Sequence, residues 1–306
     1  MERLMRNMLL YLSRNRLAHR TAKRFGLRLG ASRFVAGVTV SEAIWAVTGL
    51  NEAGMEGTLD HLGEFVETKE AAAEAAEACL HTLDEIAKAG ISCNLSVKLT
   101  QLGLDFSAGD CRSHMRRIVG RAAEYGSFVR IDMEDYAHNE PAIELFQSLH
   151  NEFGGAVGLV LQAYLYKSEA DLDRLAEYAP NVRLVKGAYK EPAEVAFPDK
   201  SDVDRNFIRL IEKQLRNGHY AAVATHDDRI IDSVIRFAEE NGIPRSGFEF
   251  QMLYGIRPQR QRELAGLGYK MRVYVPFGRD WYGYFMRRLA ERPANVRFVL
   301  KSMFKS

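Results

Sequence analysis

The sequence predicts an α/β fold in which eight strand–helix units close into a single barrel, and three observations carry that reading. Short apolar segments alternate with helical stretches eight times along the chain. Those segments end in polar side chains: Lys98 in NLSVKL, Asp132 in FVRIDM, Gln162 in GLVLQAY, Arg183 and Lys186 in NVRLVKGAY, Thr225 and His226 in AAVATH, Gln251 in FEFQML and Tyr274 in MRVYVP. Finally, 306 residues that are 47% hydrophobic and 27% charged can bury one large core. Parallel strands covered on both faces normally read as unbroken apolar runs, so polar residues collected at their C-terminal ends point to a ligand site there. An open doubly wound sheet is the alternative.

Residues 1–48 form a separate leader, expected to be helical, and 49–306 the barrel. The leader carries Arg3, Arg6, Arg14, Arg16, Arg20, Lys23, Arg24 and Arg28 against Glu2. Its apolar run, Met8 to Leu12, is too short to span a bilayer or to serve as a signal core. The leader therefore reads as a cover on the barrel or an exposed helix, with an amphipathic helix on anionic lipid as the second reading.

The first strand lies near MEGTLDHLGEF, followed by a helix over Thr68 to Ala89 and a strand over Ser92 to Leu99. A helix near Cys111 to Tyr125 leads to a strand at Phe128 to Met133, then a helix from Asn139 to Asn151 and a strand at Val157 to Ala163. Ser168, opening SEAD, signals the cap of a helix to Tyr178. A strand at Val182 to Gly187 precedes a helix over Ser201 to Asn217, closed by Asn217-Gly218. The strand at Tyr220 to Thr225 is followed by Asp227, a cap for the helix to Asn241, again closed by a glycine, Gly242. The last units are a strand at Gly247 to Met252, a helix near Pro258 to Ala265, a strand at Met271 to Pro276 and a helix from Arg279 to Glu291.

Side chains alternate across a strand, so one row faces the barrel interior. Asn94, Ser96 and Lys98 share a face against Cys93, Leu95, Val97 and Leu99; Arg130 and Asp132 share one in the next strand, and Glu249 and Gln251 in the seventh. The polar rows are expected inside, with Lys98 and Asp132 paired across neighbouring strands. One such pair is ordinarily structural, but its recurrence on successive strands points to a site. On the final helix Tyr284, Arg287, Arg288 and Glu291 fall within an arc of about 100°, and paired guanidinium forks beside a phenol suit a small carboxylate. An outer helix with an exposed Arg287–Glu291 pair is the plainer reading.

Several classes are excluded. A net charge of +2 gives no field for nucleic acid. Cys79, Cys93 and Cys111 are widely spaced and form no zinc pattern, so neither a metal nor a disulfide framework is expected, and a reducing cytoplasm fits. Gly266-x-Gly268 lacks a third glycine and no GxxxxGK[ST] run occurs, so no Rossmann or P-loop nucleotide site is supported.

The segments SVKLTQLG, RIDMED, GLVLQAYL, VRLVKGAY, ATHDD, FEFQMLYG and VYVPFGRDWYGYFMRRLAE, in this order over Cys93 to Glu291, resemble the motifs of proline dehydrogenase. The resemblance implies a distorted, TIM-like (βα)8 barrel preceded by short helices, with the eighth helix over the barrel mouth. It implies bound FAD and oxidation of L-proline to Δ1-pyrroline-5-carboxylate, the first step of proline catabolism to glutamate. Residue by residue, Lys98, Arg287 and Arg288 match positions that bind the substrate carboxylate, and Tyr189, Leu253, Tyr274 and Tyr284 match the wall around the proline ring. Asp132 matches the aspartate beside the lysine, and Arg183 the arginine near flavin N5. Met133, Gln162, Val185, Lys186, Gly187, Ala188, Thr225 and His226 match flavin contacts, and Glu291 an acidic position of the last helix.

The resemblance also implies a membrane quinone as electron acceptor, reached by peripheral attachment at the inner membrane face, and release of product to a separate pyrroline-5-carboxylate dehydrogenase, for which 306 residues leave no room. Two other readings stand beside it: a Schiff-base aldolase using Lys98 or Lys186 as a neutral nucleophile, and a non-catalytic barrel that binds a small anion.

Overall fold

A computed structural model describes residues 31–63, 66–189 and 191–291, excluding the side chains of 287–291. The expectations for the leader up to residue 30, and for the side chains of Arg287, Arg288 and Glu291, lie outside the described residues.

Eight parallel strands pair in sequence order and close on themselves. They are β1 (Glu56–His61), β2 (Cys93–Lys98), β3 (Val129–Asp132), β4 (Val157–Gln162), β5 (Val182–Val185), β6 (Ala221–Ala224), β7 (Phe248–Leu253) and β8 (Met271–Phe277). The closing seam runs from Glu56↔Arg272 to His61↔Phe277. The open-sheet alternative is thereby ruled out.

The helices are α1 (Val40–Glu52), α2 (Lys69–Ala89), α3 (Ala108–Glu124), α4 (Asn139–Phe153), α5 (Ser168–Leu175), α6 (Lys200–Arg216), α7 (Asp228–Glu240), α8 (Pro258–Gly266) and α9 (Trp281–Glu291). Local chemistry sets their ends. Thr39 and Glu42 form a reciprocal capping box on α1, Thr68 accepts from the Ala71 N–H at the start of α2, and Asp227 accepts from the Arg229 N–H at the start of α7. Gly218 and Gly242 follow α6 and α7 at φ 72° and 65°, the left-handed conformation that glycine adopts without penalty.

Ser168 corrects a sequence expectation. It is the first residue inside α5, and its hydroxyl donates back to the Gln162 carbonyl instead of capping the helix. α3 starts at Ala108, ahead of the expected Cys111, because Ser107 caps it. β5 stops at Val185, two residues before the expected Gly187.

Inside and outside rows follow the period-two rule. Leu95, Val97, Val129, Ile131, Phe248 and Phe250 are buried under the helices, while Thr58, Ser96, Arg130, Arg183, Glu249 and Arg272 are buried in the interior, where a barrel of this type usually stacks branched apolar residues. Small inner residues make room for the long ones. Gly158 faces Arg130 in register, and a Cβ there would lie 2.4 Å from the Asn181 carbonyl and 2.6 Å from the Phe128 ring.

One displacement positions the site. α1 packs against β1, β8 and α2, filling the outer slot beside the closing seam that the eighth barrel helix would otherwise occupy. It runs through the expected boundary at residue 48. α9 packs instead with Phe34, Leu62 and Ile256 in an apolar cluster. Leu62 follows β1 and Ile256 follows β7, so α9 lies over the C-terminal ends of the strands. Trp281, Tyr284, Phe285 and Met286 are all buried, which contradicts the plainer reading of an outer helix that leaves the Tyr284 face in water.

Candidate active site

The C-terminal ends of β2 to β8 enclose a cavity of about 960 Å³, at the upper end of the range for small-molecule and cofactor sites. Lys98, Asp132, Met133, Gln162, Arg183, Val185, Lys186, Gly187, Ala188, Tyr189, Thr225, His226, Leu253 and Tyr274 all line it. Tyr284 does not; it is buried in the cluster beneath α9, which touches the cavity through Leu253.

Asp132 is the centre of the polar floor. Arg183 Nη1 donates to its Oδ1 at 2.6 Å and the Tyr274 hydroxyl to its Oδ2 at 2.7 Å. The Arg183 guanidinium also lies 5.2 Å from the Tyr274 ring centroid. Burial and the Asp132 carboxylate push the Tyr274 hydroxyl well above its ordinary range, so it remains a donor. Two further donors of Arg183 are taken inside the barrel, Nε by Gln251 Oε1 at 2.6 Å and Nη2 by Ser96 at 3.1 Å.

Lys98 differs from expectation. Its main partner is Asp60, with both Nζ–Oδ distances at 3.0 Å, while Asp132 Oδ2 stands at 3.9 Å. The expected Lys98–Asp132 pair is therefore the weaker contact, because Arg183 and Tyr274 already occupy Asp132 and β1 supplies a buried carboxylate on the other side. Asp60 is the penultimate residue of the first strand, in TLDH, so a search for polar residues near strand ends could have found it.

Gln162 has a defined polarity. Its Nε2 donates to the Glu134 carbonyl at 2.9 Å, which leaves Oε1 buried with no partner. This orphaned acceptor on the cavity wall calls for an N–H donor from a ligand. Leu253 N–H donates to His226 Nε2 at 3.1 Å, so that nitrogen carries no proton. Gly187, at φ 108°, presents bare backbone against Tyr164; a Cβ there would lie 2.1 Å from the ring.

The far rim is cationic. The lining includes Lys98, Arg183, Lys186, Lys200, Arg229 and Arg257 against the carboxylates Asp132, Asp227 and Asp228, an excess that favours an anionic ligand. Lys186 is held by Asp204 at 2.6 Å and Asp227 at 3.6 Å. The Arg229 hydrogen bond holds Asp227 down at about 2. Arg257 adopts φ 54°, and its forked end binds the His226 carbonyl and Asp228, each at 2.6 Å. No sequence signal marked Arg257, since a left-handed arginine before proline is an uncommon conformation.

A bulky, planar, anionic cofactor such as FAD fits these residues. Met133 and Val185 offer apolar surface, the Gln162 oxygen an acceptor, Gly187 a lining position without a side chain, and the Lys186–Arg229 rim positive charge. Among the described residues no group of three or more His, Cys, Asp or Glu is placed to hold a metal ion.

Residues 43–301 match the family model described as proline dehydrogenase. Proline dehydrogenase 1 of Bacillus subtilis (strain 168) is 49% identical over 302 residues, covering 99% of this chain and 100% of the relative. Proline dehydrogenase of Deinococcus radiodurans is 48% identical over 279 residues, 90% of each chain. Among solved structures, proline utilization A (PutA) of Bdellovibrio bacteriovorus inactivated by N-propargylglycine aligns with a TM-score of 0.80 at 29% identity, covering 85% of this chain and 32% of that one.

Proposed function

This chain belongs to the proline dehydrogenase family, whose members oxidise proline in proline catabolism, and from that premise we propose that its cavity holds FAD and delivers L-proline to it beneath α9. The single observation that carries the proposal is the Arg183–Asp132–Tyr274 cluster facing a cavity far larger than a five-membered imino acid requires, with a buried Gln162 oxygen left unpaired. Bound FAD supplies the acceptor for a hydride from the ring carbon next to the proline nitrogen.

The protein supplies placement. Lys98, held by Asp60 at 3.0 Å, presents an ammonium to the substrate carboxylate, and Arg287 and Arg288 bind the same group. Tyr189, Leu253 and Tyr274 shape the wall that fits the ring and excludes water, and Tyr284 backs that wall from the apolar cluster that Leu253 packs against. Asp132 holds Arg183 and Tyr274 in fixed orientation, and Arg183 places positive charge where electron density accumulates. Met133, Gln162, Val185, Lys186, Gly187, Ala188, Thr225 and His226 hold the flavin, and Glu291 on the last helix is assigned to the same cofactor set. The product is Δ1-pyrroline-5-carboxylate, passed to a separate dehydrogenase, and membrane quinone takes the electrons by peripheral encounter at the inner face of the cytoplasmic membrane. Among the described residues no helix is long and apolar enough to cross a membrane.

The Schiff-base reading requires an uncharged lysine. Lys98 and Lys186 are both held in ion pairs, at 3.0 Å to Asp60 and 2.6 Å to Asp204, so neither nitrogen is presented to the cavity as an isolated nucleophile. A carrier barrel without chemistry is at odds with the family.

The test is spectroscopic. The purified protein is expected to be yellow, and its flavin band to bleach anaerobically on addition of L-proline. Arg288→Met is expected to raise KM for proline at least tenfold with the band retained. A colourless protein, or unchanged proline kinetics in that variant, refutes the assignment.

A further inference from the structure

Below the cavity, the barrel interior carries a continuous chain of charged and polar contacts. Glu249 on β7 is 2% exposed. It accepts from Arg272 Nε at 3.0 and 3.1 Å and from the Tyr220 hydroxyl at 3.0 Å. Its Oε1 also accepts from Gln251 Nε2, two residues further along the strand. That bond turns the Gln251 amide so that its oxygen meets Arg183 Nε at 2.6 Å. The opposite amide orientation would set N–H against N–H at Arg183 and oxygen against oxygen at Glu249, losing two charge-assisted hydrogen bonds together.

Burial pushes the Glu249 carboxyl up, but the charge and hydrogen bond of Arg272 outweigh it and keep the group ionised below its usual range. Gln251 and Arg183 line the cavity and Glu249 does not. Whatever Glu249 does to the cavity through this chain therefore passes through the amide.

We propose that Glu249 is a positioning residue for proline oxidation: acting through Gln251, it fixes the orientation in which Arg183 faces the reacting centre. The proposal rests on the role assigned to Arg183 above. The competing role is structural, with Glu249 serving only to neutralise Arg272.

The two roles separate in four variants of the full-length, flavin-loaded protein: Gln251→Met, Glu249→Gln, their combination, and the charge-balanced pair Glu249→Met/Arg272→Met. If the relay operates, either single change lowers kcat by ~10- to 100-fold while KM for proline moves less than about threefold. The midpoint potential of the bound flavin becomes more negative at unchanged flavin content. The Glu249→Gln/Gln251→Met combination is no slower than Gln251→Met alone, since both sever one path. The charge-balanced pair removes the Glu249–Arg272 contact as a unit and leaves Glu56 to Lys270 at 3.3 Å, which guards against misfolding of Glu249→Gln; it remains as slow as Gln251→Met.

Wild-type kcat and potential in Gln251→Met overturn the proposal. So do losses that multiply in the combination, or recovery of wild-type kcat in the charge-balanced pair. A wild-type protein that binds no flavin would overturn the functional reading itself and this proposal with it; an active, yellow wild type with unmoved variants overturns this proposal alone.

Discussion

Lys98 and Asp60 face each other across the β1–β2 pairing with both carboxylate oxygens 3.0 Å from the ammonium. Asp60 is buried and Lys98 reaches the cavity, so the aspartate sets the aim of the lysine. Asp60→Asn is expected to lose one charge-assisted bond of about 1.5–3 kcal/mol and to let Lys98 swing toward Asp132. Steady-state kinetics should then show kcat/KM for proline falling roughly 10- to 100-fold. A change smaller than about twofold would mean that Lys98 is aimed by something else.

Gly187 offers a steric test of the cofactor cradle. Its φ of 108°, and a Tyr164 ring that would stand 2.1 Å from any Cβ at this position, leave no space for a side chain. Gly187→Ala is expected to weaken flavin retention on gel filtration by about tenfold or more while far-ultraviolet circular dichroism is preserved. Full flavin content after gel filtration would contradict the assigned cradle.

His138 links two loops of the barrel mouth, with Nδ1 at 2.5 Å from Asp135 and Nε2 at 2.7 Å from Asp105. Burial alone would push its pKa down, but these hydrogen bonds outweigh it and raise it above the ordinary histidine value. A raised folded-state pKa gives stability that is complete below about pH 6.5 and is lost as pH rises through the folded value. Urea titrations of wild type and His138→Gln should therefore differ most at acid pH and converge under alkaline conditions. A gap that widens with pH would show that the histidine acts neutral.

Arg257 is held in a left-handed conformation by two hydrogen bonds, to the His226 carbonyl and Asp228. Arg257→Gly should relieve the backbone strain yet free the loop beside His226, costing flavin affinity about tenfold with little loss of melting temperature. Equal loss of both would indicate a purely structural arginine.

Much of the barrel was legible because the period-two rule needs only side-chain polarity. Ser96, Arg130, Glu249 and Gln251 each fall on the interior row that alternation assigned. The pairing of Lys98 was less legible, since choosing Asp60 over Asp132 depends on Arg183 and Tyr274 having claimed the latter from across the barrel. Sequence spacing cannot rank competitors contributed by four strands. Ser168 misled for a related reason: its hydroxyl found a strand carbonyl brought near only by the tertiary fold. Tyr284, placed on a polar arc by helical periodicity, is buried because α9 is covered by Phe34, Leu62 and Ile256 from distant parts of the chain.

The seam between the first and last strands has a consequence for biosynthesis. Arg272 donates to the Gly57 carbonyl across 215 residues of chain, and Ala36 donates to Pro276. As the nascent polypeptide leaves the ribosome, the edge of β1 and the flank of α1 stay unsatisfied until β8 has been translated. Such late, distant pairing is slow, so the chamber cannot close before β8 has emerged, and premature termination ahead of β8 yields an exposed strand edge prone to aggregation.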